Sequence, residues 1–155
     1  MSHFLAMGGY AAYVWPAYAV FFIVLIANYL APGIRRRRQL RELRARLEAL
    51  QWLTWQVAGL GPMAGQAGWF RVHSLERDDY AADRYVRETR RLYGVLDRRL
   101  EGRDYIAGDA YSIADIACWP WIVSHAGHGQ SLHDFPEIAR WFEAIHQRPA
   151  TQRAF

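Results

Sequence analysis

The sequence predicts an all-α protein in two parts, a single apolar helix near the N terminus followed by a bundle of amphipathic helices. Three observations carry this prediction. Residues 1–34 contain no Asp, Glu, Lys or Arg, the body after residue 50 repeats apolar side chains at helical spacing, and no alternating run is long enough to build a sheet. At 155 residues, 52% hydrophobic, 15% aromatic and 22% charged, the chain is sized for one compact domain with an appendage. That composition excludes a wholly disordered protein. The net charge of +4 conceals a segregation, because residues 35–48 hold seven Arg against Glu42 and Glu48 while the remainder holds twelve Arg against thirteen acids. The boundary expected from these shifts divides residues 1–50 from residues 51–155.

The first element is expected to cross a membrane as one helix. From Ala11 to Ile34 the only strongly polar side chain is Asn28, and 24 residues at 1.5 Å rise span roughly 36 Å, enough for a hydrocarbon core of about 30 Å. The run from Val20 to Ile26 contributes roughly −2 to −4 kcal/mol on an insertion scale, which covers Asn28 near one end. Tyr10, Tyr13, Trp15 and Tyr18 crowd one end and Tyr29 marks the other, as interfacial aromatics do, and Pro16 is expected near the first turn. A cleaved signal peptide needs basic residues before the apolar run and a small-residue site after it, and this sequence has neither. Arg35 to Arg38 follow the run, so the positive-inside rule places the N terminus in the periplasm and the body in the cytoplasm. Leu40, Leu43, Leu47 and Leu50 then recur at heptad spacing among Arg and Glu, which predicts an amphipathic continuation. The basic run is explained by topology and attraction to anionic lipid, so nucleic acid is not an expected partner.

These residues bring a family into view. The stretch from Phe4 to Tyr18, with its Met-Gly-Gly-Tyr and Tyr-Val-Trp elements, one apolar span and the Arg35 to Arg38 collar, resembles the CcmD (haem exporter protein D) family over residues 3–50. The resemblance implies a small accessory subunit of the bacterial inner membrane for haem export in cytochrome c biogenesis. Its implied partners are the haem-handling membrane protein CcmC, the CcmAB exporter and the haem chaperone CcmE. Haem is handled through those partners, and no cofactor is expected on this chain. Gly9, Tyr10, Trp15 and Tyr18 become candidate partner contacts, with interfacial anchoring as the alternative for the aromatics and a flexible turn for the glycine.

The body reads as helices in order. Ala49 to Ala58 forms one piece, expected to kink or break at Gly59-Leu60-Gly61-Pro62, and a second piece runs to about Phe70. Asp79 to Leu100 is a longer helix with Tyr85, Leu92, Leu96 and Leu100 inward and Arg84, Arg87, Arg91 and Arg98 outward as solvated surface. After a Gly-containing loop, Ser112 and Asp115 form a capping box, with Tyr111 expected to staple onto Ile116. The helix that follows carries Cys118 and Trp119 and meets Pro120. Pro136 opens a last helix with Ile138, Trp141, Phe142 and Ile145 on one face, closed by Arg148-Pro149.

The stretch from Tyr105 to Ile116, together with Arg148-Pro149-Ala150, resembles the C-terminal all-α domain of glutathione transferases, and Trp52 to Phe70 looks especially like bacterial Nu-class members. That resemblance implies a helical bundle and admits a homodimer through it. In that family a thioredoxin-like domain that activates glutathione precedes the bundle, and here the apolar head occupies that place. The sequence therefore supports a haem-export subunit without catalytic residues, and no enzymatic activity is expected. The alternative is a glutathione transferase-like protein or remnant with an acquired membrane anchor. A third reading joins two unrelated reading frames near Leu50.

Other chemistry is weakly supported. Cys118 sits in an apolar helix with no neighbouring base, so a packed thiol is expected. His125, His128 and His133 with Asp134 lie in a Gly-rich connection without a ligand motif and are expected at the surface, so no metal site is assigned. There is no C-x-x-C-H for haem attachment and no Gly-rich phosphate loop. Met63, Trp69 and Phe70 suit either an apolar pocket or core packing.

Overall fold

The computed structural model describes residues 11–75 and 78–154, and among these every regular element is helical. The chain divides between Arg44 and Ala45 into two compact units.

Helix α1 runs Ala11–Trp55. Its N-terminal part is long and apolar enough to cross a membrane, with a mean hydropathy of 1.9 in its most apolar window and none of that window buried. Asn28 donates from Nδ2 to the Val24 carbonyl at 2.9 Å, one turn back in its own helix. A donor bonded within its own helix lowers the cost of carrying Asn into lipid. Pro16 lies inside the helix, as does Pro32, rather than at its first turn. Helical residues already precede Pro16, so it removes one internal bond instead of an orphan donor. Gly9 and Tyr10 fall outside the described residues.

In the second unit α1 continues without a break into a π turn, Gln56–Leu60, then α2, Gly61–Gly68, and a second π turn, Trp69–His73. The expected interruption at Gly59 to Pro62 is thus a change of register. Gly61 N–H donates to the Gln56 carbonyl, five residues back. The wider turn relieves the clash that the Pro62 ring makes with the preceding turn of an α-helix. Gly61 is needed for another reason: a Cβ there would lie 2.7 Å from Gln56 Nε2 and 3.2 Å from the Trp121 ring.

Helix α3 spans Asp79–Leu100, begun by Asp78, whose side chain accepts from Ala81 N–H at 2.9 Å. Leu92, Leu96 and Leu100 are buried as the spacing predicts, and Thr89 and Tyr93 join them. Helix α4 spans Ile113–Val123 and passes through Pro120 without ending. A 3-10 turn at Leu132–Asp134 leads to α5, Pro136–His146, and a last short helix α6, Pro149–Gln152. The core collects Leu60, Tyr93, Leu96, Ile106, Cys118, Ile122, Ile138, Trp141 and Ile145, so α3, α4 and α5 each contribute a buried face to it.

Two polar devices fix these helices. Asp115 is fully buried and accepts four hydrogen bonds at 2.9 Å. Ser112 N–H and Oγ donate to Oδ2, completing the predicted capping box, while Ile106 N–H and Trp141 Nε1 donate to Oδ1. The box therefore ties α4 to the preceding loop and to α5 as well. Asp97 on α3 accepts from Glu137 N–H (3.0 Å) and Ile138 N–H (2.9 Å), which caps α5 from another helix. The staple expected between Tyr111 and Ile116 is not built. Tyr111 meets Tyr105 edge-on at 5.8 Å and carries the Arg148 guanidinium 3.9 Å above its ring, and Ile116 stays exposed.

Candidate functional site

On the charged face of α3, Arg84, Arg87 and Arg91 recur at helical spacing and, with Glu88, Tyr85 and Met63 from α2, line a cavity of about 590 Å³. The arginines are exposed, as expected, but they share the wall of a pocket instead of being isolated surface charges. Met63 and Tyr85 supply the apolar side, and Phe70 from the second π turn holds the Tyr85 ring by stacking on it, with centroids 5.6 Å apart and planes at 8°.

Glu88 does not neutralise the cavity evenly. Arg91 donates to both of its carboxyl oxygens, at 2.9 and 2.7 Å. That bidentate bond holds the Glu88 pKa below its ordinary value and raises that of Arg91. Arg87 turns its Nε to the Asp83 carbonyl at 3.3 Å. With Glu88 and Arg91 cancelling, Arg84 and Arg87 leave the pocket cationic, fit for an elongated ligand with carboxylates and an apolar middle.

The sequence-level candidates fall elsewhere. Trp15 and Tyr18 are exposed on α1. Ser112 and Asp115 are structural, as expected. Cys118 is buried, and burial pushes its pKa up to about 12, as a packed thiol requires. His128 corrects an expectation: it is buried, while His133 is exposed. Among the described residues no group of three or more His, Cys, Asp or Glu side chains is placed to hold a metal ion. The arginine spacing was visible in the sequence, but not the pocket, which depends on Met63 arriving from α2.

Comparison with known proteins gives this geometry a family. The family described as "Glutathione S-transferase, C-terminal domain" matches residues 57–149. The chain belongs to that family. The shorter family "Heme exporter protein D (CcmD)" matches residues 8–51. Over 113 residues the chain is 48% identical to the disulfide-bond oxidoreductase YfcG of Escherichia coli (strain K12), covering 73% of this chain and 53% of that protein. It is 32% identical over 120 residues to YghU of the same organism, also named a disulfide-bond oxidoreductase, covering 73% and 42%. Among solved structures, a glutathione transferase from Burkholderia graminis with two glutathione molecules bound per subunit superposes with a TM-score of 0.66 at 46% identity, covering 70% of this chain and 48% of that one. Ure2p in complex with glutathione gives 0.69 at 32% identity, covering 73% and 56%. The chain spans about half the length of the curated relatives it matches.

These findings overturn two expectations. The reading as a haem-export subunit rested on the head, whereas the larger part of the chain aligns with glutathione-transferase-like oxidoreductases and transferases. The expectation of no enzymatic activity falls with it, since those relatives are named as enzymes. The head misled because a short motif-rich segment carries more recognisable signal per residue than a helical bundle defined by periodicity.

Proposed function

We propose that the chain is a glutathione transferase-like protein held at a membrane by the apolar part of α1, and that the arginine-lined cavity is where its helical domain engages glutathione or glutathione disulfide. The observation that carries this is the pairing of Glu88 with Arg91, which leaves Arg84 and Arg87 over an apolar floor of Met63 and Tyr85. Glutathione carries two carboxylates, and a guanidinium is the side chain best matched to each. Relatives named as disulfide-bond oxidoreductases and neighbours crystallised with glutathione support the ligand class. With Cys118 buried, the domain's contribution is to bind and orient, and the sulfur of the ligand, as thiol in glutathione or as disulfide in its oxidised form, carries the chemistry.

In this reading residues 1–50 form the anchor and residues 51–155 the helical domain, with Trp15 and Tyr18 at the periplasmic interface and the body in the cytoplasm. A reporter active only in the cytoplasm, fused after Phe155, then reports activity. Binding is tested by calorimetry of the full chain with glutathione disulfide. Saturable binding that weakens about tenfold on Arg84→Ala together with Arg87→Ala is expected, equivalent to roughly 1.4 kcal/mol. Equal affinity in the folded double variant refutes the assignment.

A further inference from the structure

A second cavity, of about 500 Å³, lies between the Trp69–His73 turn and the loop after α4. We propose that it binds a planar aromatic carboxylate, with the ring against Trp69 and Val72 and the carboxyl group on the His128 imidazole.

The wall is apolar where a flat ring needs it. Trp69 is 55% exposed and Val72 61%, large values for side chains that line a concavity. The Trp69 and His73 rings lie 6.1 Å apart, tilted by 37°, which gives an aromatic surface wider than one residue. Gly68 lets the ring of His128 close the far side: a Cβ there would lie 3.2 Å from His128 Cδ2 and 3.7 Å from Nε2. The opposite wall is fixed by Arg71, whose Nη1 donates to the carbonyls of Ala126 (3.2 Å) and Gly127 (3.3 Å).

The polar end selects charge. His128 is 5% exposed, and its Nδ1 is buried with no hydrogen-bond partner. An unpaired lone pair is cheaper to bury than an unpaired N–H, so the neutral ring carries its proton on Nε2, on the edge that faces Gly68 and the cavity. Burial, reinforced by His125 and Arg71, lowers the His128 pKa and keeps the ring neutral. His128 is thus a donor in want of an acceptor. Among the described residues no acidic side chain lines the cavity, and the Arg71 guanidinium behind the loop adds positive potential. An aromatic carboxylate meets both ends, stacking at Trp69 and accepting at Nε2. None of these residues lines the arginine cavity, so the two sites can be tested apart.

The probe is 2-naphthoate, followed by fluorescence against the full chain in lipid nanodiscs, with empty nanodiscs as the blank. Saturable binding is expected, weakened about tenfold by Trp69→Leu at its exposed position and by Ala126→Phe, which fills the mouth. Naphthalene, lacking the carboxyl group, should bind at least about tenfold more weakly. The variant carrying Arg84→Ala and Arg87→Ala should bind naphthoate as the wild type does, even if it has lost glutathione disulfide. Thermal melts establish that each variant is folded, and Trp69→Leu decides the question if Ala126→Phe is not. The proposal is overturned if the wild type does not bind, if folded Trp69→Leu retains wild-type affinity, if naphthalene binds equally well, or if only the arginine variant loses binding.

Discussion

Replacing Asp115 by Ala removes the acceptor on which four donors converge. Ile106 N–H and Trp141 Nε1 lie in the core and have no water to turn to, whereas Ser112 sits in a half-buried loop and can recruit solvent. Each buried orphan donor costs about 1–3 kcal/mol, so the two core donors alone set a loss of roughly 2–5 kcal/mol, allowing for some relaxation. Against a typical domain stability of about 5–15 kcal/mol this is a large fraction. At about 4–8 °C per kcal/mol for a domain of this size, the Tm should fall by at least about 8 °C. Ser112→Ala deletes only the N-cap hydroxyl and should cost about 0.5–2 kcal/mol. Asp115→Asn should fall between the two. It keeps an oxygen for Ile106 and Trp141 but turns an N–H₂ toward Ser112 N–H. Urea unfolding followed by tryptophan fluorescence, with Cm and m compared across the three variants, reads the difference. If Asp115→Ala costs no more than Ser112→Ala, the carboxyl group is only a local cap, and its role as the tie between loop and α5 is wrong.

Asp97→Ala should lower stability by about 0.5–2 kcal/mol, and hydrogen exchange should show faster opening at the first turn of α5 than at α3, because the lost cap serves the other helix. Cys118 should resist a thiol reagent at pH 8 in the native protein and react at once in denaturant, since burial holds its pKa near 12. Rapid native labelling would show that α4 opens locally. His128 has its pKa lowered by burial, so the unfolded chain binds a proton that the folded one resists. Stability should therefore be lost as pH falls below the ordinary imidazole pKa of about 6.5, and His128→Gln should flatten that part of the pH profile of Cm. An unchanged slope refutes the assignment.

Features written in neighbouring residues could be read without the fold. The limits of α3, the capping box of Ser112 and Asp115, the start of α5 at Pro136 and the apolar length of α1 all follow from side chains within one or two helical turns of one another. Within that distance geometry is nearly fixed by the 3.6-residue repeat, so pattern alone suffices. The remaining features depend on how the helices pack. Gly61 and Pro62 read as a break because their local preference is to interrupt a helix. The chain instead widens into a π turn, and the glycine is used to admit Trp121 from α4. Asp97 capping α5, Asp115 reaching Trp141, and Arg84 sharing a cavity with Met63 join residues 21–41 positions apart. Nothing local marks such pairs, because a donor and acceptor far apart in the chain meet only after helices have packed. That packing is driven by non-directional burial of apolar surface, which specifies that the apolar faces of the helices must meet but not which polar groups will then face each other.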